Sequence, residues 1–166
     1  MTKTTKEIVT IGILSALYVV LSATIKIPFI GNIALDMGYI VLTVAAVCCG
    51  SIPAAIVGGI GCAIESILFT ALGFSISWVV MNIIIGLIVG YVANREVVDN
   101  KKWILLISIP IAVLIGVTFK TAIECVLYSI PVAVKIPKAL VAFAVDSVVM
   151  LIGVPIAYRV KKIIKQ

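Results

Sequence analysis

Residues 51–78, SIPAAIVGGIGCAIESILFTALGFSISW, decide the fold of this chain. The stretch starts with an apolar run that holds three closely spaced glycines and one acid, Glu65, and a short turn follows that run. A second apolar run then carries an aromatic residue, Trp78, near its start. A helix needs about 20 apolar residues to cross the hydrocarbon core of a bilayer. We therefore predict two consecutive membrane-spanning helices, at residues 53–70 and 75–93.

The composition of the whole chain points to the same environment. Hydrophobic residues make up 63% of the 166 positions, charged residues only 12%, and the mean hydropathy is +1.33. A chain of this kind has too few polar side chains to cover a surface that faces water. It is predicted to be an integral membrane protein, and the first apolar run is expected to be kept as a helix.

The spacing of charged residues predicts six spans in one membrane domain, 1–166. Between Met37 and Asn94 the only charged residue is Glu65, and this interval is long enough for three helices. The first of these three is short. Breaks rich in proline, glycine and charge predict an outer loop at residues 26–38 and another loop before the last helix. The predicted fold is an all-α bundle with spans near 8–25, 37–49, 53–70, 75–93, 103–128 and 139–158.

The basic residues are distributed unevenly between the two ends of such a bundle. Nine lie on the side that holds both termini and the turn at Arg95, and three lie on the other side. The positive-inside rule then places both termini in the cytoplasm and the loop at 26–38 outside. Topology thus accounts for the net charge of +6, and the basic stripe that nucleic-acid binding requires is not found in the sequence.

The sequence argues against several kinds of chemistry. It contains no histidine, and its four cysteines fall inside apolar helices without metal-binding spacing. Motifs for nucleotide binding, serine hydrolysis and zinc hydrolysis are missing from the sequence. We predict no catalytic residue, no metal site, no cofactor and no enzyme activity.

Charged residues inside the predicted spans are candidates for function, since each costs about 2.5–3.5 kcal/mol at the centre of a membrane helix. Lys120 and Glu124 follow Gly116 and precede Tyr128 at intervals of four, which places all four on one helix face. Lys120 and Glu124 could neutralise one another as an internal ion pair. Alternatively, their face lines a polar cavity where a solute replaces water.

A second column on the fourth span contains Trp78, Asn82, Gly86 and Gly90, again at intervals of four. A flat ring could stack on the indole of Trp78 while the amide of Asn82 supplies a donor and an acceptor. The alternative for Trp78 is an ordinary aromatic residue at the membrane interface.

Three further acids complete the set of candidates. Asp146 lies in the body of the last span, where it pairs with Lys120 or faces the solute, and Asp36 lies in the outer loop. Glu65 is either a packing residue or a ligand. The predicted substrate-binding residues are Asp36, Trp78, Asn82, Lys120, Glu124, Tyr128 and Asp146.

Taken together, the six spans, the outer-loop segment GNIALDMGYI, the helix VGGIGCAIESI and the basic C-terminus resemble the substrate-binding S components of energy-coupling factor (ECF) vitamin transporters. The resemblance implies capture of a vitamin or related micronutrient from outside a prokaryotic cell membrane. It also implies a transmembrane T component and two cytosolic ATPases as partners, in the lipid bilayer. Gly12 and Ala16 correspond to the small-residue motif by which the first helix of the family packs against the T component, although the usual motif has alanine at both positions.

The substrate stays open at this point, with riboflavin or a folate-like pterin slightly favoured by the mixed charges and by Trp78. A different interpretation is a stand-alone secondary transporter in which Asp146 or Glu124 carries a coupled proton. The lack of an internal repeat in the sequence argues against that interpretation.

Overall fold

The computed structural model describes residues 3–24, 26–30, 33–69, 74–95 and 103–164. Over these residues the chain forms six helices and one hairpin of two strands. Five helices are long and apolar enough to cross a membrane, and the second helix, with 12 residues, spans only about 18 Å. The elements are α1 (Lys3–Thr24), β1 (Lys26–Ile30), β2 (Ile33–Asp36), α2 (Gly38–Cys49), α3 (Ser51–Phe69), α4 (Ile76–Ala93), α5 (Trp103–Tyr128) and α6 (Val132–Ile164).

Hydrogen bonds between elements show that the helices alternate in direction. The backbone N–H of Ser75, just before α4, donates to Ser66 Oγ near the end of α3 at 3.4 Å. Ser77 at the start of α4 donates to Glu124 near the end of α5, and Glu124 pairs with Lys135 in the first turns of α6. These helix ends therefore lie together. Strand β2 packs against α6, and Asp36 at the end of β2 is near enough to Asp146 of α6 to interact electrostatically. We call this end of the bundle the hairpin end.

The opposite ends of the helices also meet. A Cβ atom on Gly90, near the end of α4, would lie 2.6 Å from the Cα of Ser51 at the start of α3. The thiol of Cys48, near the end of α2, donates to the carbonyl of Ala157 in α6 at 3.6 Å. The predicted all-helical membrane bundle is confirmed, and its chain runs up and down between two distinct ends.

A β-hairpin stands where the sequence analysis predicts an outer loop. Strands β1 and β2 are antiparallel, and Pro28 pairs with Ala34 while Ile30 pairs with Ile33. Each strand is short, and proline in β1 weakens the sequence signal for a strand. The dipeptide Gly31-Asn32, which lies outside the described residues, separates two apolar runs in the way typical of a hairpin.

The last helix is longer than its predicted span of 139–158. It begins at Val132 and continues to Ile164, with Pro137 and Pro155 inside it. The prolines and lysines at 131–138 indicate a loop from sequence alone, but in the structure only residues 129–131 separate α5 from α6. The ion pair from Lys135 to Glu124 stabilises this early start, since it joins the first turns of α6 to α5.

Glycines allow α3 and α4 to approach closely. A Cβ on Gly86 would lie 2.8 Å from the backbone of Ala54, and a Cβ on Gly58 would lie 3.0 Å from the carbonyl oxygen of Asn82. Small residues permit such backbone contact in a bilayer, where burial of apolar surface gives helices little reason to associate. Gly86 and Gly90, which share a column with Trp78 on α4, are therefore packing residues between α3 and α4. Gly116 likewise packs against Ile85 of α4.

Gly61 makes room for the ring of Tyr18, which is fully buried between α1 and α3. A Cβ on Gly61 would lie 2.6 Å from Tyr18 Cδ1. We expect Gly61→Ala to reduce the free energy of unfolding by about 1–3 kcal/mol, because the buried ring has to move. Equilibrium unfolding in mixed micelles measures the change. Ala63→Ser, at a half-buried position on the same helix, is the control, and an equal loss there would contradict this explanation.

Candidate functional site

A group of polar and aromatic side chains lies inside the bundle near the hairpin end. It takes residues from α1, α2, α4, α5 and α6, which are far apart in the sequence and meet where these helices pack together. Five of its members are candidates already indicated by the sequence: Trp78, Asn82, Lys120, Glu124 and Asp146. We call this set, together with Tyr18 and Tyr39, the polar cluster.

Lys120 lies over the ring of Trp78. Its Nζ atom is 4.5 Å from the centroid of the indole, within the range of a cation–π interaction. Trp78 is half-buried against the core, so it is held by the bundle on one side. The two side chains together combine an aromatic ring with a positive charge that lies over one of its faces.

Glu124 has a different partner from the one that the column on α5 suggests. Its Oε2 accepts from Lys135 Nζ at 2.5 Å, and its Oε1 accepts from Ser77 Oγ at 3.1 Å. Lys120 is close enough to interact electrostatically with Glu124, but its contact is with Trp78. Glu124 thus joins α4, α5 and α6 at the hairpin end, and the direct pairing of Lys120 with Glu124 is not what the structure has.

Asp146 is buried within α6, with 7% of its surface exposed. It interacts electrostatically with Lys120 of α5 and lies near the side chain of Tyr39 of α2. A buried carboxylate is tolerated in such a place because a cation and a hydroxyl compensate its charge. Asp146 and Lys120 therefore provide one acceptor and one donor group near each other in the cluster.

Asn82 is held by bonds inside the protein. Its Oδ1 accepts from the hydroxyl of Tyr18 at 3.3 Å, and its Nδ2 donates to the carbonyl of Trp78 at 3.0 Å. The side chain is only 2% exposed. After these bonds the amide has one N–H and one lone pair left for a solute. This is fewer hydrogen-bonding groups than the free amide expected from the sequence would offer.

The remaining predicted residues have varied positions. Asp36 ends β2 and accepts hydrogen bonds from Ser22 and from the backbone of Gly38. Glu65 is 1% exposed, and it interacts electrostatically with Tyr18 and with Tyr39. Tyr128, the last residue of α5, is exposed and is not part of the buried cluster.

Sequence reasoning misses Tyr18, Tyr39, Ser77 and Lys135. For Tyr18 a signal exists, because the buried residues Ser15, Tyr18 and Ser22 recur at helical spacing on α1 and mark its inner face. Lys135 lies in a predicted loop, so the sequence does not indicate its ion pair with Glu124. Single serines and tyrosines near helix ends are too common in membrane proteins to be selected individually.

A groove of about 360 Å³ lies elsewhere, between α5 and α6. Its lining is mainly apolar and includes Leu114, Leu140 and Phe143. Leu114 and Leu140 are exposed on the outside of the bundle. A groove of this character suits hydrocarbon, whereas a vitamin requires several polar groups that converge on it.

Residues 2–162 match the family model described as ECF-type riboflavin transporter, S component. The chain belongs to this family. It is therefore a membrane-embedded transporter subunit of a prokaryotic cell and not an enzyme. The resemblance noted from the sequence is confirmed by a match over nearly the whole chain.

The bundle is also similar to a solved structure. The crystal structure of the S component for biotin from an ECF-type ABC transporter matches with a TM-score of 0.71, covering 98% of this chain and 95% of that one. Sequence identity is 16%, so this likeness concerns the fold.

A curated relative is a UPF0397 protein from Exiguobacterium sp. strain AT1b. It is 37% identical over 94 residues, which cover 55% of this chain and 50% of the relative. The chain thus matches about half the length of that protein.

Proposed function

We propose that this chain captures riboflavin at the hairpin end of the bundle and delivers it to the cell as the S component of an ECF-type transporter. The match to the riboflavin S-component family over residues 2–162 is the observation that carries the proposal. The polar cluster supports it by its chemistry.

Riboflavin has a flat tricyclic ring with carbonyl oxygens and an imide N–H along one edge. The half-buried indole of Trp78 offers a face for such a ring. Lys120 is a donor for its carbonyl oxygens, and Asp146 is an acceptor for its N–H. The site would thus combine an aromatic side chain with a few polar groups that fix the orientation of the ligand. Binding sites for small molecules usually have this composition.

The hairpin end faces the outside in this proposal. The sequence assigns the nine basic residues near the termini and the turn at Arg95 to the other end of the bundle, and the positive-inside rule places that end in the cytoplasm. Substrate then enters from outside and leaves towards the cytoplasm.

Energy for uptake comes from partner subunits in this proposal. The sequence has no nucleotide-binding motif, so a transmembrane T component and two cytosolic ATPases supply the coupling and the hydrolysis. Gly12 and Ala16 are exposed on α1, and nothing lies within 4 Å of the position that a Cβ on Gly12 would take. This open face of α1 is where we place the contact with the T component.

Binding by the purified chain tests the proposal. We expect the fluorescence of riboflavin to be quenched as it stacks on Trp78 during a titration with protein in detergent micelles. We also expect riboflavin to raise the melting temperature, since a ligand that binds only the folded state stabilises it. Biotin, thiamine and a pteroate are the comparison ligands.

The outcome that would contradict riboflavin as substrate is stabilisation by one of those ligands and none by riboflavin. Uptake by liposomes that contain this chain alone, driven by a proton gradient, would instead support the stand-alone transporter. We expect uptake only when the T component and both ATPases are present.

A further inference from the structure

One carboxylate oxygen joins the hairpin to the two helices beside it. Asp36 Oδ1 accepts from Ser22 Oγ of α1 at 2.6 Å and from the backbone N–H of Gly38, the first residue of α2, at 2.8 Å. Hydrogen bonds from a hydroxyl to a carboxylate have this short length and are about twice as strong as those between neutral groups. We call these three residues the Asp36 tether.

The tether is built into the packing of the bundle. Ser22 is fully buried, and a Cβ on Gly38 would collide with its hydroxyl oxygen. Glycine at position 38 therefore lets the hydroxyl and the backbone N–H reach the same oxygen. The ring of Tyr18, one turn before Ser22, lies 2.9 Å from that same Cβ position and fills the space below the tether.

The position of the hairpin gives the tether a consequence for the site. Strand β2 packs against α6, which carries Asp146. Asp36 is near enough to interact electrostatically with Asp146 and Tyr39 of the polar cluster. The hairpin thus extends from α1 and α2 to α6 at the end of the bundle where the cluster lies, and its base is fixed by Asp36.

From this geometry we infer that Ser22 and Asp36 are positioning residues that hold the hairpin against the bundle and set the rate at which substrate enters and leaves. Asp36 acts on the hairpin and does not itself bind the substrate. The inference rests on the proposed function, because it places riboflavin in the polar cluster. A hairpin that opens more often speeds entry and exit alike, whereas loss of a substrate contact mainly speeds dissociation.

Stopped-flow fluorescence with riboflavin measures both rates for the whole chain in micelles. We expect Ser22→Ala to raise the association and dissociation rates together by about tenfold, while Kd changes much less. A change of this size corresponds to the loss of one hydrogen bond to a charged group. Ser22→Cys keeps the side-chain size with a weaker donor and should give intermediate rates. The control is Thr24→Ala, since Thr24 is exposed and its hydroxyl bonds to Val20 of its own helix.

Variants at Asp36 separate positioning from substrate binding. Asp36→Asn keeps an acceptor oxygen for Ser22 and Gly38, so its rates should stay closer to those of the wild type than the rates of Asp36→Ala. A rise in Kd through dissociation alone in Asp36→Asn would mean that the carboxylate contacts the substrate. That result, or unchanged rates in Ser22→Ala, would overturn the inference.

Hydrogen–deuterium exchange tests the tether without any ligand. We expect Ser22→Ala to speed exchange of the strand amides of β1 and β2 and to leave the amides of α4 unchanged. Unchanged strand exchange would overturn the tether itself. Failure of wild-type protein to bind riboflavin, together with faster strand exchange in the variant, would count against the proposed substrate only.

Discussion

Trp78→Ala is expected to weaken riboflavin binding more than any other single change in the polar cluster. Stacking of a flat heterocycle on an aromatic side chain contributes about 1–3 kcal/mol, which is a factor of roughly 5 to 150 in Kd. The change also removes the ring beneath Lys120, whose Nζ then loses its cation–π contact and has Glu124, Asp146 and Lys135 as its charged neighbours. The dissociation rate should rise most, because the contact is made only after the substrate has entered.

The chain offers a matched control for this substitution. Trp103 is the other tryptophan of the sequence, and it is exposed at the first residue of α5, at the opposite end of the bundle. Trp103→Ala should leave Kd unchanged, and Trp78→Phe should restore much of the affinity because it keeps an aromatic face. Titration of riboflavin fluorescence measures all three variants. Equal losses from Trp78→Ala and Trp103→Ala would contradict a binding role for Trp78.

Much of the fold was predictable because a bilayer imposes simple rules on a sequence. Backbone groups in hydrocarbon have to be bonded within helices, so the length of each apolar run indicates a span. This reasoning finds α5 with its observed bounds and finds α2 as a short helix. It fails at 132–138, where an ion pair between Lys135 and Glu124 stabilises a helix start that local composition does not reveal.

The site was predictable to a smaller extent. The cost of a charge in hydrocarbon directs attention to Lys120, Glu124 and Asp146, which lie near one another in the structure. Spacing by four shows which residues share a helix face, but it does not show which helix that face meets. For this reason the spacing groups Gly86 and Gly90 in one column with Trp78, although the two glycines pack against α3.

Gly90→Ala should cause the largest loss of stability among glycine substitutions in the bundle. The added Cβ would lie 2.6 Å from the Cα of Ser51 and 2.8 Å from the carbonyl carbon of Gly50. These are backbone atoms, so no side-chain rotation can relieve the contact and α3 has to move away from α4. Overpacking a protein interior usually costs about 1–3 kcal/mol. We expect Gly90→Ala to lower the free energy of unfolding by the upper end of this range or more. Equilibrium unfolding in mixed micelles measures it.

Gly12→Ala is the matched control, and its effect should have the opposite sign. Nothing lies within 4 Å of the added Cβ, and alanine favours a helix over glycine by up to about 1 kcal/mol. The same chemical change thus stabilises α1 and destabilises the contact of α3 with α4, so intrinsic helix preference cannot explain both results. Destabilisation by Gly12→Ala as large as that by Gly90→Ala would contradict this packing. Helix α4 carries Trp78 at its other end. The movement of α4 that Gly90→Ala forces should therefore also weaken riboflavin binding. Such a result would show that the glycine contacts at one end of the bundle affect the site at the other end.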